Sequence, residues 1–220
     1  ISTPCAQAAA NSTKDIPIVA TAITNFEDAG IVKSNTRPGV NVTGTSDLAP
    51  VDKIIQLAVD LKPNIEKIGV LYSNIDPSPQ YQAQLAEEKI RDMKLEPRLF
   101  AVSQTNEVKQ VAEKLAAEVD ALYVPIDKIT AATMPEISRI FLQQGKFVVC
   151  AENTMIEKGA IGTYAVDYHE LGKMAARQAE KILKGEDKPQ DMPIEYFKDT
   201  KLCLNYDIIK KLGLEAPGKT

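Results

Sequence analysis

The sequence predicts an α/β fold, with parallel sheets covered by helices on both faces, and three observations predict it. Short, near-continuous apolar runs rich in Val, Ile and Tyr recur along the chain, the pattern of strands buried on both faces. Stretches with apolar residues at helical spacing separate them. Each run ends in polar residues, which a parallel sheet would gather along one edge. The resulting β-α-β-α order implies doubly wound sheets with right-handed crossovers.

The elements follow in order. Thr3-Pro4 has the cap-then-proline form that opens a helix. Residues 16–23 (IPIVATAI) are the first strand run and lead to Thr24-Asn25. Residues 51–62 set Val51, Ile54, Ile55, Ala58 and Leu61 on one helical face, bounded by Pro50 and Pro63. The run at 67–72 (KIGVLY) leads to Ser73-Asn74, and Ser78-Pro79 reads as a helix cap with proline behind it. Residues 107–118 repeat the helical spacing with Val108, Val111, Ala112 and Leu115. Runs at 121–125 (ALYVP), 147–151 (FVVCA) and 161–166 (IGTYAV) lead to Asp127, to Glu152-Asn153 and to Asp167. Asp167-Tyr168-His169-Glu170 fits a capping box heading a helix over 169–184, with Leu171, Ala175, Ala179, Ile182 and Leu183 inward and Gly185 closing it. Residues 215–220 are expected to fray.

Composition narrows the function. At 220 residues, 44% hydrophobic and 25% charged, the chain has the make-up of a soluble globular protein of one domain or two modest ones. No apolar run approaches the ~20 residues of a membrane span, and no basic-then-apolar leader is visible. A net charge of −4 without a Lys/Arg block gives no footprint for nucleic acid, so none is expected as a partner. The 3 cysteines are far apart, without CxxC, beside 1 histidine, which argues against a metal site or disulfide framework. Gly39, Gly44, Gly69 and Gly162 form neither GxGxxG nor a Walker sequence, so no nucleotide cofactor is expected. His169 lacks a nucleophile partner and a GxSxG elbow, and Cys150 reads as a small buried hydrophobe. No catalytic apparatus is visible, so an enzyme is the least favoured function class.

The candidate site is therefore the polar rim after the strands: Asn25, Ser73, Asn74, Asp127, Glu152, Asn153 and Asp167. Every one of these residue types also makes turns and helix caps, so each position has a structural reading beside the functional one.

The segments IPIVATAITNFEDAGIVKSNTRPGVNVTGTSD, KIGVLYSN, VDALYVPID and VDYHELGKMAARQAEKILKG resemble, in order, the solute-binding proteins of ABC transporters. Within that family they are most similar to the group associated with tryptophan and other aromatic amino acids. Asn25 stands where an Asp is usual there, and Lys128 where Asn is frequent. The resemblance implies the type I periplasmic binding protein fold, two α/β lobes joined by crossover strands and closing on a ligand. It implies a first lobe from residues 1–44 and 161–190, a second from 45–160 and 198–214, and a crossover segment at 191–197. It also implies two further β-α units ahead of the chain, roughly 60 to 80 residues. Ile1-Ser2 would then end a third strand, the first lobe would be incomplete, and the exposed sheet side would favour self-association.

For the ligand, the resemblance implies a small molecule, an aromatic L-amino acid with tryptophan foremost. The helix N-terminus at Thr3, Pro4, Cys5 and Ala6 would offer N–H groups to its carboxylate. Asp127, Glu152 or Asp167 would pair its ammonium, and Tyr72, Tyr81, Tyr164 and Tyr168 are candidate walls. The implied partners are ABC permease and ATPase subunits. The implied place is extracytoplasmic, with a lipid anchor as one form of attachment. The alternative is a ligand-sensing effector or receptor domain, because type I folds serve that role too.

Overall fold

The structure, a computed structural model, describes residues 3–218. In chain order its first elements are α1 (Thr3–Ser12), β1 (Ile18–Thr21), β2 (Val42–Ser46), α2 (Val51–Leu61), β3 (Lys67–Ser73), α3 (Pro77–Asp92), β4 (Glu96–Val102), α4 (Thr105–Glu118) and β5 (Ala121–Val124). The rest are α5 (Lys128–Gln143), β6 (Phe147–Cys150), β7 (Gly162–Ala165), α6 (Tyr168–Leu183), β8 (Glu195–Tyr196), β9 (Lys201–Leu204) and α7 (Tyr206–Lys211). They divide into two compact units, Ile1–Leu48 with Val166–Thr200 and Ala49–Ala165 with Lys201–Thr220.

The first unit is built on a parallel sheet of order β1-β2-β8, with Ile18 opposite Val42 and Thr45 opposite Glu195. Ala6 and Ala10 of α1 join Ile23, Phe26, Val42 and Ile194 in its core. Small alanines let the helix lie close to the sheet, and α6 also packs on β1 and β2. Gly44 fixes the β1-β2 approach: a Cβ there would lie 1.8 Å from the Ala20 carbonyl oxygen and 2.9 Å from the Phe26 ring. Only a residue without a side chain permits that spacing.

The second unit carries a six-stranded sheet, β4-β3-β5-β6-β7-β9, parallel except for β9, which runs antiparallel to β7. Helices cover both faces. Ile54, Ile55 and Ala58 of α2, Ala86 and Ile90 of α3 and Ile208 of α7 pack with Ile68, Val70, Tyr123 and Val149. Val108 and Leu115 of α4 and Ile137 and Phe141 of α5 pack with Leu71, Leu122, Val148 and Cys150 on the other face. Alternate residues of β5 and β6 thus serve opposite cores, which is why both strands are buried at every position.

The strand runs form as expected, each shortened by a residue or more except the run at 67–72, which gains Ser73, and the sheet order is that of an α/β fold. Several details differ. Thr3 is itself helical, so it is not the cap of α1; the expected strand end at Ile1-Ser2 lies outside the described residues, as do the last two residues of the expected frayed tail. The cap of α3 is Asp76, which accepts from the Ser78 N–H, with Pro77 at its start, so Ser78-Pro79 lies within the helix. In α6 Leu183 is 88% exposed, and Gln178 is buried in its place with Leu171 and Ala175. The Gln178 amide donates to the Pro193 carbonyl at 3.4 Å, which gives its buried N–H a partner.

The unit boundaries also fall a few residues from the expected lobe limits. β7, expected in the first lobe, lies in the second unit because it pairs with β6 and β9. Residues 191–197, expected as a separate crossover, lie in the first unit, where β8 extends the β2 ladder. Among the described residues no helix is long and apolar enough to cross a membrane.

Candidate functional site

At the carboxyl ends of β1 and β2 the first unit gathers hydroxyl groups around a buried carboxylate. Asp47 follows β2 directly and is 5% exposed. The Thr24 hydroxyl donates to Asp47 Oδ1 at 3.3 Å, and the Tyr168 hydroxyl donates to Oδ2 at 3.2 Å. Both bonds are long for O–H···O pairs, so they steer the carboxylate more than they neutralise it. The loop beneath is fixed from below: Ser46 Oγ donates to the Thr24 carbonyl at 2.7 Å, and the Thr21 and Thr45 hydroxyls are 2.8 Å apart. Ala22 holds φ at 58°, a left-handed backbone that is uncommon for a residue with a Cβ. That strained turn carries the chain from β1 to Thr24.

The sequence-predicted residues of this unit have differing local roles. Asp167 caps α6, its Oδ1 accepting from His169 N–H at 3.0 Å and Glu170 N–H at 3.2 Å. The cap sets the position of Tyr168, the first residue of α6, whose ring is half-exposed. Asn25 follows Thr24, and its Oδ1 accepts from the N–H groups of Glu27 and Asp28 and from the Asn35 amide. It is the organiser of the 25–35 loop. In α1, Thr3 and Ala6 are buried while Pro4 and Cys5 are exposed.

In the second unit the carboxyl edge is organised by Asp127. Its Oδ1 accepts from Ile129 N–H at 2.8 Å, capping α5, and its Oδ2 accepts from the buried Ser73 N–H. One side chain thus ties the end of β3 to the start of α5. The Asn74 N–H donates to the Val102 carbonyl at 3.1 Å and its Oδ1 accepts from the Ser103 hydroxyl at 2.9 Å, joining the ends of β3 and β4. Glu152 and Asn153 follow β6; Glu152 Oε1 accepts from Thr154 Oγ1 at 2.7 Å at the head of a short 3-10 turn. Ile75, 67% exposed, stands between Asn74 and the Asp76 cap. Of the tyrosines proposed as walls, Tyr72 and Tyr164 pack against the core of this unit and Tyr81 is half-buried on α3.

Chemically, the first unit offers an oriented carboxylate beside an aromatic ring, the groups that receive a cation attached to an apolar body. Cys150, by contrast, is buried in β6, and burial pushes its thiol far above the usual range, which makes it a poor nucleophile. Asp47 is the residue that sequence reasoning misses. Its strand, VTGTS, is short and hydroxyl-rich rather than apolar, so the search for polar residues after apolar runs passes it by.

Comparison with known proteins supplies the family. The model of the ABC transporter substrate binding protein family matches residues 1–219. A curated tyrosine-binding protein from Clostridioides difficile (strain R20291) is 35% identical over 215 residues, 98% of this chain; the chain spans 62% of that relative's length. The ligand-free, open structure of a substrate binding protein with adhesive properties from Clostridium difficile aligns with a TM-score of 0.81 at 38% identity. An ABC domain from Streptococcus pneumonia in complex with L-Trp aligns with a TM-score of 0.88 at 33% identity. Each of these two alignments covers 98% of this chain and 73% of the other. With a sheet-and-helix architecture of the type I periplasmic binding protein kind, this chain belongs to the ABC transporter substrate binding protein family.

Proposed function

We propose that the chain is the extracytoplasmic solute-binding component of an ABC importer, that its ligand is an aromatic L-amino acid, and that Asp47 receives the ligand's ammonium group. The observation that carries this reading is the Asp47 carboxylate, 5% exposed at a carboxyl sheet edge and aligned by Thr24 and Tyr168. In a site of reduced dielectric an ammonium-carboxylate contact is stronger than in water. The half-exposed Tyr168 ring beside it favours a flat, apolar side chain on the same molecule. The ligands of two relatives, tyrosine and L-Trp, are amino acids of that kind and support the aromatic class. The permease and ATPase subunits of such an importer are the partners this reading implies.

The 220 residues contain no tryptophan, which makes a direct assay available. Titrated L-tryptophan excited on the red side of the tyrosine band should show a blue shift as its indole leaves water, and L-tyrosine should reverse it by competition while L-alanine should not. Asp47→Ala should weaken binding by about 1.5 to 3 kcal/mol, the scale of a hydrogen bond to a charged group. Absence of any shift or binding heat with either aromatic amino acid at millimolar concentration would remove the assignment.

A further inference from the structure

The hydroxyl of Tyr168 reaches Asp47 from α6, an element far from β2 in sequence, and the residue as a whole stays 42% exposed. Asp167 anchors this arrangement from behind by capping α6 with two backbone bonds, so the Tyr168 backbone has little freedom. Thr24 holds the other carboxylate oxygen from the strained β1 loop. A carboxylate held at both oxygens by separate elements cannot rotate freely about its Cβ–Cγ bond. The carboxylate plane thereby has a preferred orientation, which lowers the entropy lost when a cation docks.

From this geometry we infer that Tyr168 is a positioning residue for ammonium recognition: its hydroxyl orients Asp47 so that amino acids are favoured over ligands of the same shape that lack the α-ammonium. The inference rests on the reading of Asp47 as the ammonium acceptor. It assigns to one tyrosine the selection of amino acids against arylpropionates, a discrimination that the apolar part of a pocket does not make. A site built to pair a polar group loses more with the analogue lacking it than an apolar wall does.

The test compares two ligand pairs in each protein: L-tryptophan with indole-3-propionate, and L-tyrosine with 3-(4-hydroxyphenyl)propionate. The quantity read is the ratio of affinities within a pair, which does not depend on the fraction of folded protein. In the unaltered chain the amino acid should be preferred. Tyr168→Phe keeps the ring and removes the hydroxyl; the preference should fall roughly three- to tenfold, the value of one hydrogen bond, with arylpropionate affinity nearly unchanged. Thr24→Val should act in the same direction on the opposite oxygen. Asp47→Asn should abolish most of the preference and serves as the reference. If Asp47→Asn lowers the ratio and Tyr168→Phe does not, the positioning role is overturned and the ammonium acceptor stands. Equal weakening of both members of a pair by Tyr168→Phe likewise overturns it, because a ring contact or a structural role acts on both. If Asp47→Asn leaves the ratio intact, the acceptor reading fails, and the inference with it.

Discussion

Asp127 and Asp47 are each 5% exposed at a carboxyl strand end, yet their hydrogen bonds give them different tasks. Asp127 spends both oxygens on backbone N–H groups of its own unit, at Ser73, Ile129 and Thr130. Asp47 instead accepts from two side-chain hydroxyls, those of Thr24 and Tyr168. Asp127→Ala is therefore expected to destabilise the protein by roughly 2 to 3 kcal/mol, from a lost cap and a buried N–H left unpaired. Ligand affinity of the folded fraction should stay within about twofold, on the scale of a site that loses no direct hydrogen bond. Thermal melting read beside calorimetry separates the two, and a large affinity loss at unchanged stability would contradict the assignment. This pair also shows the limit of the sequence at this scale. An aspartate after a strand and before a helix satisfies the requirements of a cap and of a ligand group equally, and nothing in PIDKIT or TSDLAP distinguishes them. The difference lies in which N–H or O–H groups the tertiary structure brings within reach.

At the scale of elements, legibility followed apolar continuity. The buried strands β3, β5 and β6 announce themselves because both faces must be apolar, and α2 because Pro50 and Pro63 bracket a clean stripe. Three elements gave weaker signals for physical reasons. β4 is an edge strand, so it tolerates Pro97 and the Glu96-Arg98 ion pair, features that argue against a central strand. α5 runs through Pro135, which ordinarily ends a helix. β2 is built of Val, Thr, Gly and Ser, and its central glycine is required by the close approach of β1. That close approach makes Gly44→Ala a sharp probe of the first unit. The added methyl meets backbone, which cannot swing aside as a side chain would, so β1 and β2 must separate. A loss of about 1 to 3 kcal/mol, the usual scale of overpacking, is expected, together with faster amide exchange in β1. An unchanged melting curve would show that the strands sit farther apart than described.

At the scale of the molecule, the α/β class and the family were legible, and the β-α alternation was enough to direct attention to the carboxyl edges of the strands. The division into units was less so, because β7 and β8 are too short to declare by composition which sheet they join. Their pairing has a consequence for the order in which the protein can be made. Neither unit is a continuous stretch of chain: the first needs Val166–Thr200 to complete what Ile1–Leu48 begins, and the second needs Lys201–Thr220 after Ala49–Ala165. A ribosome therefore releases β2 and β7 before the strands that flank them, β8 and β9, exist. Contacts that join distant parts of the sequence close late and slowly. A chain ended after residue 193 should retain amide protection in β3 and β5 while β2 and β7 exchange at least about tenfold faster than in the 220-residue chain, as newly made sheet edges do. Equal protection would mean that the last strands merely decorate finished sheets. For the nascent chain, β2 and β7 are bare sheet edges until β8 and β9 emerge to cover them, and until then each unit waits on residues not yet translated.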